Sequence, residues 1–223
     1  FYDSFDKFVP CITLSGDKAY FWSKYNHVRI DFDGLKERIL NSEWYRKGLQ
    51  YHEYGHAKAA LQGNWEGNAD FKNLYKRFFA DYNKPEYRYV DGEGVSQWKI
   101  ADRLFEELKL VKDKTYDVME QFGKISDTLQ AIDKDHNWIQ GMLGHDVDYF
   151  ASSLHNCLAD IIAHLSENYW SNNKYFKKVL PRLYNEAMAL YEKYYKLNKP
   201  TKRWVVVYGS TTHLDFLSVG PTA

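Results

Sequence analysis

Two histidines four residues apart, His52 and His56, fall in a stretch from Ser42 to Gly63 whose Tyr45, Leu49 and Ala59 or Ala60 recur at helical spacing. Ser42 is a good N-cap and Gly63 a natural stop, so the sequence predicts one helix carrying both imidazoles on one face, a turn apart. That face is also the apolar stripe, where an unpartnered imidazole is costly to bury. The pair therefore asks for a shared partner, and a divalent ion, most simply Zn²⁺, satisfies both rings at once. Glu53 stands one step round the helix. From there its carboxylate stays out of the coordination sphere but within reach of water in an open position, the place of a general base. Gly55 leaves room for close approach by another element. The plainer alternative is a pair of satisfied core histidines with Glu53 at the surface.

Two histidines do not complete a zinc site, and a third protein ligand has to come from elsewhere. Gln62 stands where the HExxHxxGxxH pattern has its last histidine, so that pattern is excluded. Glu66 is one downstream candidate. A stronger region runs from Asp135 to Asn173, 39 residues without a single Lys or Arg that hold His136, His145, His155 and His164, four of the chain's eight histidines. Such a composition suits a place where a metal already supplies the positive charge. Within it, Asp146 to Glu167 reads as a helix with an apolar stripe at Val147, Phe150, Leu154, Leu158, Ile161 and Leu165. Opposite runs a polar line at Ser153, Asn156, Asp160, His164 and Glu167. Asp160 leads as third ligand, with His164 next and Glu66 or His155 behind. An ordinary solvent face would give the same polar line, but Ala159 and Ala163 beside it argue for close packing.

The rest of the chain supplies the scaffold. Ala19 to Phe32 is rich in aromatic and β-branched residues and ends at Asp33-Gly34, predicting one or two strands and a turn. Helices are expected over Leu35–Leu40, Asp70–Phe79, Ile100–Val111, Tyr116–Ile132 and Phe176–Leu197, the third and fourth read as exposed bundle helices because they are amphipathic and charged. Trp204–Tyr208 reads as a closing strand, and Asn83–Gly94 as the most mobile loop. The 223 residues fit one domain, 1–223, of helix-rich α+β class with a small N-terminal sheet. The start at Phe1 and the small-residue tail are expected of a processed product or a piece of a longer chain.

Thirty basic and thirty acidic residues cancel, so no global field favours nucleic acid or an anionic membrane. No apolar run is long enough to span a bilayer. Cys11 and Cys157 are too few for a disulfide framework and fit a reducing compartment, so a soluble, cytoplasmic protein is expected.

HEYGHAKAAL followed about a hundred residues later by LHNCLADIIAHL resembles zincin-like metallopeptidases of bacteria and phages, including those encoded beside or fused to von Willebrand factor A domains. Their HExGH helix is followed by one of the type LHNxLEDxxIE, which His155, Asn156, Leu158 and Asp160 match. Ala159 replaces an acidic residue and His164 a glutamate, so both Asp160 and His164 stand as the closing ligand. The resemblance covers about a quarter of the chain. It implies a zincin-like fold, peptide or protein substrates, and an edge strand receiving the substrate backbone, for which Val28–Phe32 is the candidate. A Tyr or His is expected to stabilise the oxyanion. The rival reading is a catalytically silent zincin-fold module with a structural or binding role, as in a phage particle, although structural zinc has no need of Glu53.

Overall fold

The computed structural model describes residues 9–82, 84, 88–90, 96–132, 145 and 147–197. Three short strands near the start, β1 (Cys11–Ile12), β2 (Ala19–Trp22) and β3 (His27–Ile30), form a sheet ordered β1-β3-β2. The β2 and β3 strands are antiparallel, with Phe21 opposite Val28, and β1 runs parallel to β3. Alternation decides the faces: Val28 and Ile30 are buried, while His27 and Arg29, which alternate with them, are half-buried. The segment predicted as extended from Ala19 to Phe32 is divided by a turn at residues 23–26, where Asn26 takes a left-handed φ of 49°. Because β1 and β2 flank β3, the strand expected to lie at the edge is central, and β2 is an edge strand instead.

The helices follow in order as α1 (Lys36–Asn41), α2 (Glu43–Leu61), α3 (Ala69–Tyr82), α4 (Lys99–Leu110), α5 (Tyr116–Ile132), α6 (Val147–Ser152), α7 (Leu154–Trp170), α8 (Phe176–Val179) and α9 (Pro181–Leu197). A 3-10 turn at Trp65–Gly67 links α2 to α3, and β4 (Arg88–Val90), inside the expected loop Asn83–Gly94, pairs antiparallel with β5 (Ser96–Trp98) just after it. Two predicted helices are split. Ser153 is extended and its hydroxyl accepts the His155 N–H at 3.0 Å, so it caps α7 where it was expected inside a longer helix. Pro181 starts α9, a position where its missing N–H costs nothing, and so separates α8 from it. The predicted strand Trp204–Tyr208 lies outside the described residues.

Two apolar clusters flank α2. One joins Val28 and Ile30 to Ile39 and to Tyr45, Leu49 and Tyr54 of α2. The other packs α3, α5, α7 and α9 through Phe71, Phe78, Phe122, Leu129, Ile162 and Leu183, each fully buried ring or Leu contributing about 1.5–3 kcal/mol. Between the clusters α2 crosses α7 at close range. A Cβ added to Gly55 would lie 2.8 Å from Ser166 Cβ and 3.2 Å from Ala163 Cα, and one added to Gly48 would lie 2.6 Å from Glu167 Oε1. A side chain at Gly55 would push the helices apart, whereas one at Gly48 would displace the Glu167 carboxylate. The Ser166 hydroxyl pins the crossing by donating to the Tyr51 carbonyl at 2.9 Å.

One expectation is reversed outright. Every residue of α5 from Glu120 to Ile132 is buried, charged ones included, although the sequence suggested an exposed bundle helix. The polar line of α7 is likewise interior, with Asp160, His164 and Glu167 all buried. No helix among the described residues is long and apolar enough to cross a membrane.

Candidate metal centre

The α2–α7 crossing brings the HEYGH face of α2 against the polar line of α7. Ser42 caps α2, accepting the Tyr45 N–H at 2.8 Å, and the run to Leu61 is unbroken, so His52 and His56 project one turn apart with ring centroids 5.0 Å from each other. Facing them, Asp160 is fully buried on α7. Its Oδ1 lies 3.7 Å from His52 Nε2 and 3.9 Å from His56 Nε2, and makes no hydrogen bond. Its Oδ2 accepts the Tyr149 hydroxyl at 2.8 Å. The carboxylate is thus held by one oxygen and bare at the other, in front of two imidazole nitrogens.

Those separations discriminate. They exceed hydrogen-bonding range but approach the roughly 3.4 Å expected between two donors on one tetrahedral Zn²⁺ with bonds near 2.1 Å. An unsatisfied buried carboxylate oxygen is expensive, and these atoms could take a shared cation. The donor set of imidazole and carboxylate suits Zn²⁺.

Among the described residues, the three possible ligands whose donor atoms all lie within 4.8 Å of one another are His52, Asp160 and His164, with the His52 and His164 ring centroids 5.0 Å apart; His56 approaches Asp160 but stands outside that group. The His164 Nε2 is 3.8 Å from Asp127 Oδ2 on α5, and its buried Nδ1 makes no hydrogen bond. Glu66, in the 3-10 turn, is buried, and its charge acts on His56. His155 is exposed on the first turn of α7, and Asn156 is spent on the end of α6, donating to the Tyr149 carbonyl and the Ser152 hydroxyl at 3.1 Å each. His136 lies outside the described residues.

Partners that sequence reasoning did not assign are as informative. His145 Nε2 is 3.9 Å from Asp160 Oδ1, and its ring stacks on Tyr149 with centroids 3.6 Å apart. On the far side of His52, Nδ1 lies 3.2 Å from Glu167 Oε2, the carboxylate–imidazole arrangement that fixes the tautomer of a metal-binding histidine. Glu167 had been noted only as a member of a polar line. Lys124 and Asp127 of α5 stand behind it, and their charges marked them as surface residues by every sequence criterion.

Burial sets the charge state of these groups. Burial pushes His52 and His164 well below the ordinary histidine pKa and His56 down to about 4, so all three rings are neutral and able to bind metal. Burial also raises Asp160, and it drives Glu53 up to about 8 with the Asp160 charge adding to it. The Phe21 backbone N–H donates to the Glu53 carboxylate and works the other way. Since Val28 spends its N–H on the Pro10 carbonyl at 2.9 Å, Phe21, opposite Val28, presents its own N–H on the outer edge of β2. Glu53 therefore sits between the HEYGH helix and the edge strand. The Cys11 thiol on β1 feels the same carboxylate and is pushed up to about 11, mainly by burial.

No family model matches this chain, and neither a curated protein nor a solved structure matches it.

Proposed function

We propose that the protein is a zincin-like metallopeptidase in which His52, His56 and Asp160 hold Zn²⁺ and Glu53 is the general base. The bare Asp160 Oδ1 facing two imidazoles carries this reading. When bound, Zn²⁺ supplies a Lewis acid that acidifies water and polarises a carbonyl. The residues do the rest. Glu167 keeps His52 in the tautomer that presents Nε2, and Tyr149 holds Asp160 so that Oδ1 is the presented oxygen. Glu53, oriented by the Phe21 N–H, accepts the proton of the attacking water and returns it to the departing amine. A positive ion at the ligands would lower its pKa toward the range useful for a base. An extended peptide added to the outer edge of β2 would pass beside Glu53, which replaces β3 with β2 as the substrate-receiving strand.

His145 gives the rival reading its one specific support. Its Nε2 stands as far from Asp160 Oδ1 as that of His56, so it would close a four-ligand structural site of the kind a silent binding module keeps. In the catalytic reading His145 leaves a position open to substrate and serves as the oxyanion donor.

The test is a pair of variants, Glu53→Gln and His145→Ala, read for zinc content and for cleavage of an extended-peptide library. A peptidase retains zinc in both and loses at least about 10²-fold in cleavage with Glu53→Gln. Full zinc loading of wild-type protein with no cleavage, together with zinc loss in His145→Ala, would establish the closed structural site.

A further inference from the structure

The imidazoles around Asp160 lie at graded depth. Their side chains are 51% exposed at His145, 19% at His56, 10% at His52 and 3% at His164. His145 and His56 stand on the outer side of the carboxylate, and His164 stands on the inner side, one turn along α7 and facing α5. The two most buried rings are prepared alike. His52 has Nδ1 3.2 Å from Glu167 Oε2, with Nε2 left toward Asp160, while His164 has Nε2 3.8 Å from Asp127 Oδ2 and a buried Nδ1 that makes no hydrogen bond. A histidine kept only for packing would be expected to satisfy both nitrogens, because an unpaired buried polar atom is costly.

Two sets of three donors therefore overlap. The outer set is His52, His56 and Asp160; the inner set is His52, Asp160 and His164, whose donor atoms lie within 4.8 Å of one another. Either combination of imidazoles and a carboxylate suits Zn²⁺ or Co²⁺. With Nδ1 facing Glu167, His52 has one nitrogen left to give, and its single lone pair serves one ion at a time. The sets are alternatives, not neighbours filled together. They differ in access. No side chain of the inner set is more than 10% exposed, so an ion there is closed to solvent and to a peptide on the β2 edge, whereas the outer set reaches solvent through His56.

We propose that the metal centre has a second, inner seat made by His52, Asp160 and His164, and that one divalent ion exchanges between it and the outer seat. The inner seat stores the ion out of contact with substrate, and the outer seat presents it beside Glu53. The inference rests on the reading of His52, His56 and Asp160 as the catalytic seat.

The experiment loads metal-free full chain with Co²⁺, counts bound ions by equilibrium dialysis and elemental analysis, and reads the imidazole donors by X-ray absorption at the cobalt edge. Wild type, His56→Ala and His164→Ala should each keep one equivalent, and His56→Ala/His164→Ala none. In His56→Ala the ion should carry two imidazoles, those of His52 and His164, and a chelator should strip it more slowly than from His164→Ala. The absorption signature is read with His164 intact, so it decides the proposal even if His164→Ala fails to fold. Loss of the ion from folded His56→Ala, a single imidazole on it, faster stripping from it, a full equivalent in the folded double variant, or two equivalents in wild type would each overturn the inner seat. No ion in wild type, or loss of the ion from folded His164→Ala, would instead sink the outer seat and with it the functional reading.

Discussion

Two carboxylates with no exposed surface, Asp31 just beneath the surface and Asp160 deep between α2 and α7, are treated in opposite ways. Asp31, at the end of β3, accepts Arg29 Nε and Nη2 at 2.7 and 2.6 Å, together with the backbone N–H groups of Leu14 at 3.0 Å and Lys18 at 3.2 Å. Both of its oxygens are occupied, and the Arg29 hydrogen bonds hold its pKa down at about 2. Asp160 accepts one hydroxyl, keeps one oxygen bare before a fan of imidazoles, and has its pKa raised by burial. The first is a closed knot that ties the Gly16 loop to the sheet; the second is a socket. Burial and charge alone do not distinguish a structural carboxylate from a functional one. What distinguishes them is whether the chain itself supplies the partners.

The contrast breaks first at Asp31. Asp31→Asn should destabilise the fold by about 1.5–3 kcal/mol, since it removes the charged acceptor shared by Arg29 and the Leu14 and Lys18 N–H groups. In metal-free protein Asp160→Asn should cost little or raise stability, because no cation loses its partner. Urea melts of both variants decide this, and a large loss in the metal-free Asp160 variant would make that site structural as well.

A smaller effect separates the socket from the scaffold around it. Gly55→Ala places a methyl against Ser166 and Ala163 at the helix crossing and should cost about 1–3 kcal/mol through overpacking, whatever the metal content. If the destabilisation vanished once zinc was added, the crossing would be held by the ion and not by helix packing.

Acidity supplies the third comparison. Asp31 has a folded pKa below its unfolded value, so its stabilisation is complete above about pH 4 and is lost as pH falls toward 2. Glu53 is the reverse case. Its folded pKa near 8 lies above the unfolded value, so in metal-free protein it costs stability progressively as pH rises from about 4 to 8. Metal-free Glu53→Gln should therefore gain on wild type by about 1 kcal/mol per pH unit between pH 5 and 7, and the gain should shrink once zinc is bound. A pH-independent difference between the two proteins would remove Glu53 from the buried cluster.

How far such sites can be read from sequence depends on which residue carries the signal. His52, Glu53 and His56 announce themselves because a helix repeats every 3.6 residues, and Asp160 because its neighbourhood lacks any Lys or Arg. Each of these is a local pattern. Lys124 and Asp127 are invisible by the same logic: the cation that the α7 segment excludes from its own sequence arrives from α5, and a helix whose interior face is charged looks like a surface helix to any periodicity argument. The β3 error has a similar origin. Its second neighbour is a strand of two residues, Cys11–Ile12, too short to show alternation, so nothing in the sequence declares that β3 is paired on both sides. Splits at Ser153 and before Pro181 were legible in kind, since serine caps and proline starts are expected features, but the apolar stripes on either side ran on in phase and hid the breaks. His145 stands out in sequence only as one histidine of the cation-free segment; its approach to Asp160, and the hold of Tyr149 on that carboxylate, belong to the tertiary structure alone.

The account stands on Asp160 and a single ion, and the most direct measurement is a competition titration of metal-free protein with Zn²⁺, wild type against Asp160→Asn, followed by X-ray absorption at the zinc edge. It predicts one tight equivalent in wild type with nitrogen and oxygen donors near 2.0–2.1 Å, and binding weakened by at least about 10²-fold in a variant that remains folded. Equal affinity in the two proteins would contradict it, since the bare oxygen of Asp160 would then face nothing.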